Sequence, residues 1–121
     1  MNDERNGTNE DMLTGDVKRN MVCEGEAEVK NAAGLHMRPA MQFIDIANKY
    51  QSTITVSNAK TSADGKSIMQ MSLLEATCGS RIKIRAEGID ANEAVAALKE
   101  LVEVKKFGEP TPEEVKRGEA I

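Results

Sequence analysis

The chain carries a single histidine, His36, within Gly34-Leu35-His36-Met37-Arg38-Pro39-Ala40, with an arginine two positions on and a proline beside that. Proline is tolerated in the first turn of a helix, where its missing N–H would have had no partner, and glycine lets the incoming backbone turn tightly. The pattern predicts a loop-to-helix junction at His36. At such a junction the first backbone N–H groups and the positive end of the helix dipole favour an anion. An imidazole there, next to a guanidinium that can hydrogen-bond several oxygens, suits the uptake and release of a phosphoryl group. A lone histidine near a helix start serves equally well as a surface residue or a local cap, so the choice depends on the elements around it.

Those elements follow from hydrophobic spacing. Cys23, Gly25, Ala27 and Val29 alternate with Glu24, Glu26, Glu28 and Lys30, which predicts a half-buried strand over 23–30. Asn31-Ala32-Ala33-Gly34 then turns the chain toward His36. After Pro39, the residues Ala40, Phe43, Ile44 and Ala47 recur at i, i+3, i+4 and i+7, the spacing of one buried helical face, and predict a helix ending near Tyr50. Thr53 to Ser57 reads as a strand with Ile54 and Val56 on one side, and Asn58-Ala59-Lys60 as the turn of a hairpin into a short strand around Thr61 to Ala63. Asp64-Gly65 breaks the chain, and Ser67 with Gln70 has the form of a capping box opening a short helix to about Leu74.

That short helix holds Ile68, Met69, Met71, Leu73 and Leu74, too many apolar residues for one buried face of two turns. Either it is buried on both sides or part of it is exposed as a docking surface, a use to which adaptable methionines are suited. Ile82, Ile84 and Ala86 alternate with Arg81, Lys83 and Arg85 in a strand over 80–87. Asp90 and Glu93 open a last helix with the stripe Ala94, Val95, Leu98, Leu101 and Val102, stopped by Gly108 and Pro110. The order strand, helix, strand, strand, helix, strand, helix is most economically packed as one antiparallel sheet with the helices on a single face, an open-faced α+β sandwich.

Residues 1–22 mix both charge signs with few bulky apolar residues and read as a flexible N-terminal extension. Residues 108–121 read as a loose C-terminal tail, although Thr111-Pro112-Glu113-Glu114 could start a helical turn. The body of one small domain is then 23–107. A net charge of −4 argues against a nucleic-acid surface, and no apolar run is long enough to span a bilayer. The first 20 residues lack the apolar core of a signal peptide, so a cytoplasmic location and a monomer are expected. Cys23 and Cys78 have no metal-ligand or redox-motif spacing; they are expected as buried or semi-buried free thiols, with no metal site and no cofactor.

The two motifs together resemble a known family. Gly34 to Ala40 is similar to the active-site signature of HPr, the phosphocarrier of the bacterial phosphoenolpyruvate-dependent phosphotransferase system. Lys66-Ser67-Ile68-Met69, with Ser67 thirty-one positions after His36, resembles that family's second signature at the family's spacing. The likeness runs without insertion from about Cys23 to Phe107 and implies the βαββαβα fold, a four-stranded antiparallel sheet with three helices on one face.

Carried over residue by residue, the resemblance implies that His36 takes a phosphoryl group on Nδ1 from phosphorylated enzyme I and passes it to a IIA-type acceptor, while Arg38 neutralises the phosphate. It implies a carrier and not an enzyme, with Gly34, Met37, Pro39, Ile68 and Met69 at the helix starts and the partner contact. Ser67 matches the serine that HPr kinase/phosphorylase modifies in many members, although a serine is equally explained there as a helix cap. Met37 stands where the family usually has a small residue, and Glu75 where it commonly has glycine. A regulatory paralogue, nitrogen-type or transcriptional, would share these residues. A binding domain of similar shape, with His-x-Arg-Pro a coincidence, is the reading from another class.

Overall fold

The computed structural model describes residues 21–118. The N-terminal extension expected over 1–22 lies outside them, apart from its last two residues. Among the described residues there are four strands: β1 (Val22–Glu28), β2 (Thr53–Ser57), β3 (Ser62–Asp64) and β4 (Arg81–Glu87). Helix α1 (Met37–Ala47) links β1 to β2, and α2 (Ile68–Ser72) links β3 to β4. Helix α3 (Ala91–Lys99) continues into a π-helical turn at Glu100–Val104 and a 3-10 turn at Lys106–Gly108, and α4 (Pro112–Lys116) follows.

All pairings are antiparallel and the strand order is β1-β4-β2-β3. The register explains the alternation seen in the sequence. Ile84 lies between Gly25 on one side and Val56 on the other, and Ala86 between Cys23 and Ile54, so the apolar residues of three strands share one face. Phe43, Met71, Leu98 and Phe107 cover that face and are fully buried, or within 1% of it. At Gly25 a Cβ would come within 3.0 Å of Val95 Cγ1 and 2.9 Å of Lys99 Cδ, so the missing side chain lets α3 lie close on β1. The other face is open and charged. Glu24 and Glu26 pair across it with Arg85 and Arg81 at 3.4 Å, exposed contacts that add little stability.

The four-stranded open-faced sandwich agrees with expectation, and several boundaries differ. The first strand begins at Val22, and α1 ends at Ala47 instead of near Tyr50, because backbone N–H groups at positions 48–50 already turn back onto Ile44, Ile46 and Ala47. The short helix spans five residues, not eight, with Leu73 as its C-cap. Among the described residues there are four α-helices, not three. The fourth realises the helical turn at Thr111: the Thr111 hydroxyl accepts from the Glu114 N–H, and the Glu114 carboxylate accepts from the Thr111 N–H at 2.8 Å, a complete capping box.

Two expected caps are remade. Ser67 accepts the Gln70 N–H at 3.2 Å, but the Gln70 side chain accepts from Asp64 N–H instead of returning to Ser67. Asp90 stands at the start of α3 without capping it; its carboxylate accepts the N–H groups of Gln51 (2.8 Å) and Ser52 (3.0 Å), tying α3 to the loop before β2. Cys23 and Cys78 are free and half-buried, as expected. No helix among the described residues is long and apolar enough to cross a membrane.

Candidate functional site

The loop before α1 is built around Gly34, whose φ of 76° lies in the left-handed region. A Cβ there would meet the Ala76 carbonyl oxygen at 2.8 Å, so conformation and space both call for glycine. Leu35 is buried and its N–H donates to that same carbonyl at 2.8 Å, which fixes the approach to the helix. His36 is then the N-cap of α1: its backbone is extended, its carbonyl accepts the Ala40 N–H at 2.9 Å, and its side chain makes no capping bond. The first helical N–H groups, those of Met37 and Arg38, have no carbonyl four residues back within the helix, and no acidic residue stands in this first turn. Pro39 follows, buried, with no N–H to leave unsatisfied.

The imidazole is 44% exposed and the Arg38 side chain 65%. Both face Glu109, whose side chain is only 9% exposed. The His36 Nε2 lies 3.0 Å from Glu109 Oε2 and 3.2 Å from Oε1, and Arg38 Nε lies 3.4 Å from Oε2. A carboxylate only accepts, so Nε2 is the nitrogen that carries hydrogen and donates. Asn31, fully buried in the turn between β1 and α1, completes the cluster. Its Nδ2 donates one hydrogen to the Gly34 carbonyl and the other to Glu109 Oε1, both at 2.8 Å.

Glu109 reaches this place because the chain reverses sharply after α3. Lys106, Phe107 and Gly108 all have positive φ (52°, 56° and 69°). That reversal drops Phe107 into the core and returns the next residue toward α1. Gln42 on α1 donates to the Phe107 carbonyl at 3.2 Å, and the Ala32 N–H donates to the Pro110 carbonyl at 2.8 Å, so both sides of Glu109 are anchored. An open depression of about 380 Å³ results, lined by His36, Arg38, Ala33, Glu109 and Val115 among others.

Of the residues singled out in the sequence, Gly34, His36, Arg38 and Pro39 converge here. Met37 is on the same turn and 56% exposed. Ser67, Ile68 and Met69 stand apart at the start of α2, which packs beside α1. Met71 and Leu74 are buried there, while Met69 and Leu73 are about seven-tenths exposed and Ile68 is partly so, which resolves the crowded apolar sequence in favour of partial exposure. Asn31 and Glu109 were not anticipated. Asn31 reads in sequence as an ordinary turn residue, and Glu109 as one of several acidic residues in a polar tail.

Comparison with known proteins places this geometry. Residues 23–104 match the family described as the PTS HPr component phosphorylation site. The chain is 41% identical over 82 residues to phosphocarrier protein HPr of Borreliella burgdorferi, covering 68% of this chain and 95% of that one. It is also 41% identical over 76 residues to phosphocarrier protein NPr of Proteus mirabilis, covering 62% and 84%. A crystal structure of HPr from Thermoanaerobacter tengcongensis superimposes with a TM-score of 0.68 at 41% identity, over 72% of this chain and 97% of that one. The fold and these relatives thus define a phosphocarrier. The chain belongs to the HPr family of the phosphotransferase system, whose members are carriers and not enzymes.

Proposed function

We propose that His36 is the phosphoryl carrier, accepting from phosphorylated enzyme I on Nδ1 and donating to IIA-type acceptors. The observation that carries this reading is the placement of the one imidazole at the N-cap of α1, beside the free N–H groups of the first turn and Arg38. Nδ1 is the nitrogen left with a lone pair once Nε2 donates to Glu109. Transfer through such a site needs little covalent chemistry from the protein. Positioning and electrostatic stabilisation of the three phosphoryl oxygens do most of it.

The exposed apolar side chains of two adjacent helices, Met37 and Met41 on α1 with Ile68, Met69 and Leu73 on and after α2, form the surface on which enzyme I and the acceptors would dock. Ser67 lies at that surface. A phosphate added there by HPr kinase/phosphorylase would sit at the α2 cap, place about two negative charges beside Ile68 and Met69, and oppose an acidic partner. A monomer working in the cytoplasm fits the small domain.

A regulatory role is the second reading, supported by equal identity to an HPr and an NPr. The two are separated by offering the phosphorylated protein to sugar-specific and nitrogen-type IIA proteins and following transfer of label. Transfer to sugar-specific IIA proteins supports transport; transfer confined to the nitrogen-type acceptor supports regulation.

A further inference from the structure

Glu109 lies outside the 23–104 stretch that matches the family pattern, yet among the described residues it makes the only ion pairs of His36 and Arg38. It is nearly buried, held by a wholly buried amide, and delivered by three consecutive left-handed residues. We propose that Glu109 is a positioning residue for phosphoryl transfer: it holds the Nε2 proton of His36 and stabilises the positive ring that exists while Nδ1 carries the phosphoryl group. This rests on His36 being the carrier.

The Nδ1 lone pair forms the Nδ1–P bond, and the bond from phosphorus to the donor breaks with its electron pair remaining on the donor. The Nε2 proton stays where it is, so the ring becomes a phosphoimidazolium with its positive charge against Glu109. A carboxylate beside an imidazole stabilises the cation in this way in other nucleophilic sites while fixing which nitrogen is free. On onward transfer the Nδ1–P bond breaks, its pair returns to Nδ1, and the neutral Nε2–H form is restored.

The carboxylate also bears a negative charge that a phosphoryl group would avoid, and the geometry decides between the two effects. Glu109 is 3.0 Å from Nε2, on the side of the ring away from Nδ1, so the ring cation lies between the carboxylate and the phosphoryl group. Arg38, at 3.4 Å from the same oxygen and largely exposed, is free to swing from Glu109 to the incoming phosphate. Asn31 then keeps Glu109 in place through its Nδ2 hydrogen bond at 2.8 Å.

The test is an equilibrium, because an equilibrium cancels any effect on docking. The full chain and its Glu109→Gln variant are incubated with phosphoenolpyruvate, pyruvate, Mg²⁺ and catalytic enzyme I, and the phosphorylated fraction is read by intact mass. Glutamine keeps one oxygen, which at the Oε1 position still accepts from Asn31 (2.8 Å) and faces Nε2–H (3.2 Å), and it replaces the other oxygen with an NH2 group, so the negative charge is lost while the link to Asn31 is kept. The expected result is a ratio of phosphorylated to unphosphorylated protein about tenfold lower in the variant, the factor for weakening one charge-assisted hydrogen bond, with KM for enzyme I within about twofold of the parent. An unchanged ratio overturns the proposal, and a raised ratio overturns it by making Glu109 a competing anion. Failure of the parent chain to take phosphate under the same conditions would instead remove His36 as the carrier.

Discussion

The amide of Asn31 donates to the carboxylate of Glu109 at 2.8 Å, so a fully buried side chain in the turn between β1 and α1 fixes the group that faces the histidine. The same amide nitrogen holds the Gly34 carbonyl. Asn31→Ala removes both donors and leaves a nearly buried carboxylate and a carbonyl short of partners. A loss of about 1–3 kcal/mol of stability is expected, read from urea unfolding, together with slower phosphoryl uptake at 25 °C, where the variant is still folded. A variant as stable and as fast as the parent would show that the link does not matter.

Asp90 gives the molecule a specific acid sensitivity. Burial alone would raise its pKa, but the Ser52 hydroxyl and the N–H groups of Gln51 and Ser52 outweigh that and hold the carboxyl below its ordinary value. The unfolded chain therefore binds a proton at a higher pH than the folded one. Asp90 contributes its stabilisation fully above the ordinary carboxylate value of 3.8 and loses it as pH falls through the lower folded value. Asp90→Ala should lower stability at pH 7 and flatten the decline in stability below pH ~4. Urea midpoints measured across pH 2.5–7 check it; parallel curves for the two proteins would contradict it.

Glu75 has a φ of 51°, the left-handed conformation that a glycine adopts without cost. The turn after α2 is thus formed here with a glutamate in a conformation that suits glycine. Relief of the steric cost exceeds the extra backbone freedom glycine gives the unfolded chain. Glu75→Gly should therefore raise stability by about 0.5–1 kcal/mol, seen as a higher urea midpoint with unchanged slope. A lower midpoint would mean that the glutamate side chain contributes something its exposure does not suggest.

Ser67 caps α2 through the Gln70 N–H, and Ser67→Ala should cost about 1 kcal/mol in unfolding free energy. The same variant tests regulation. HPr kinase/phosphorylase with ATP is expected to add one acid-stable phosphate to the parent and none to Ser67→Ala, by mass spectrometry. Phosphate persisting in the variant would move the modification elsewhere.

The fold was legible because its signals are local. The alternation of Ile82, Ile84 and Ala86 with charges, and the i, i+3, i+4, i+7 stripe after Pro39, each point one face toward a core whatever the strand order. His36 and Arg38 were legible for the same reason, since glycine, histidine, arginine and proline within seven residues build one turn. Glu109 was not. Its contact with His36 spans 73 residues and depends on left-handed backbone at Lys106 and Phe107, residue types with no preference for it. Asp90 misled in a related way: its position suits a cap, but the neighbouring Gln51 and Ser52 N–H groups, brought close only by the tertiary fold, take its oxygens.

The central claim is that His36 carries the phosphoryl group. It is tested most directly by intact mass of the protein after incubation with phosphoenolpyruvate, Mg²⁺ and a bacterial enzyme I, before and after brief exposure to acid. One added phosphate, lost in acid, is expected in the parent and none in His36→Ala. A phosphate that survives acid, or one that His36→Ala still acquires, would contradict it.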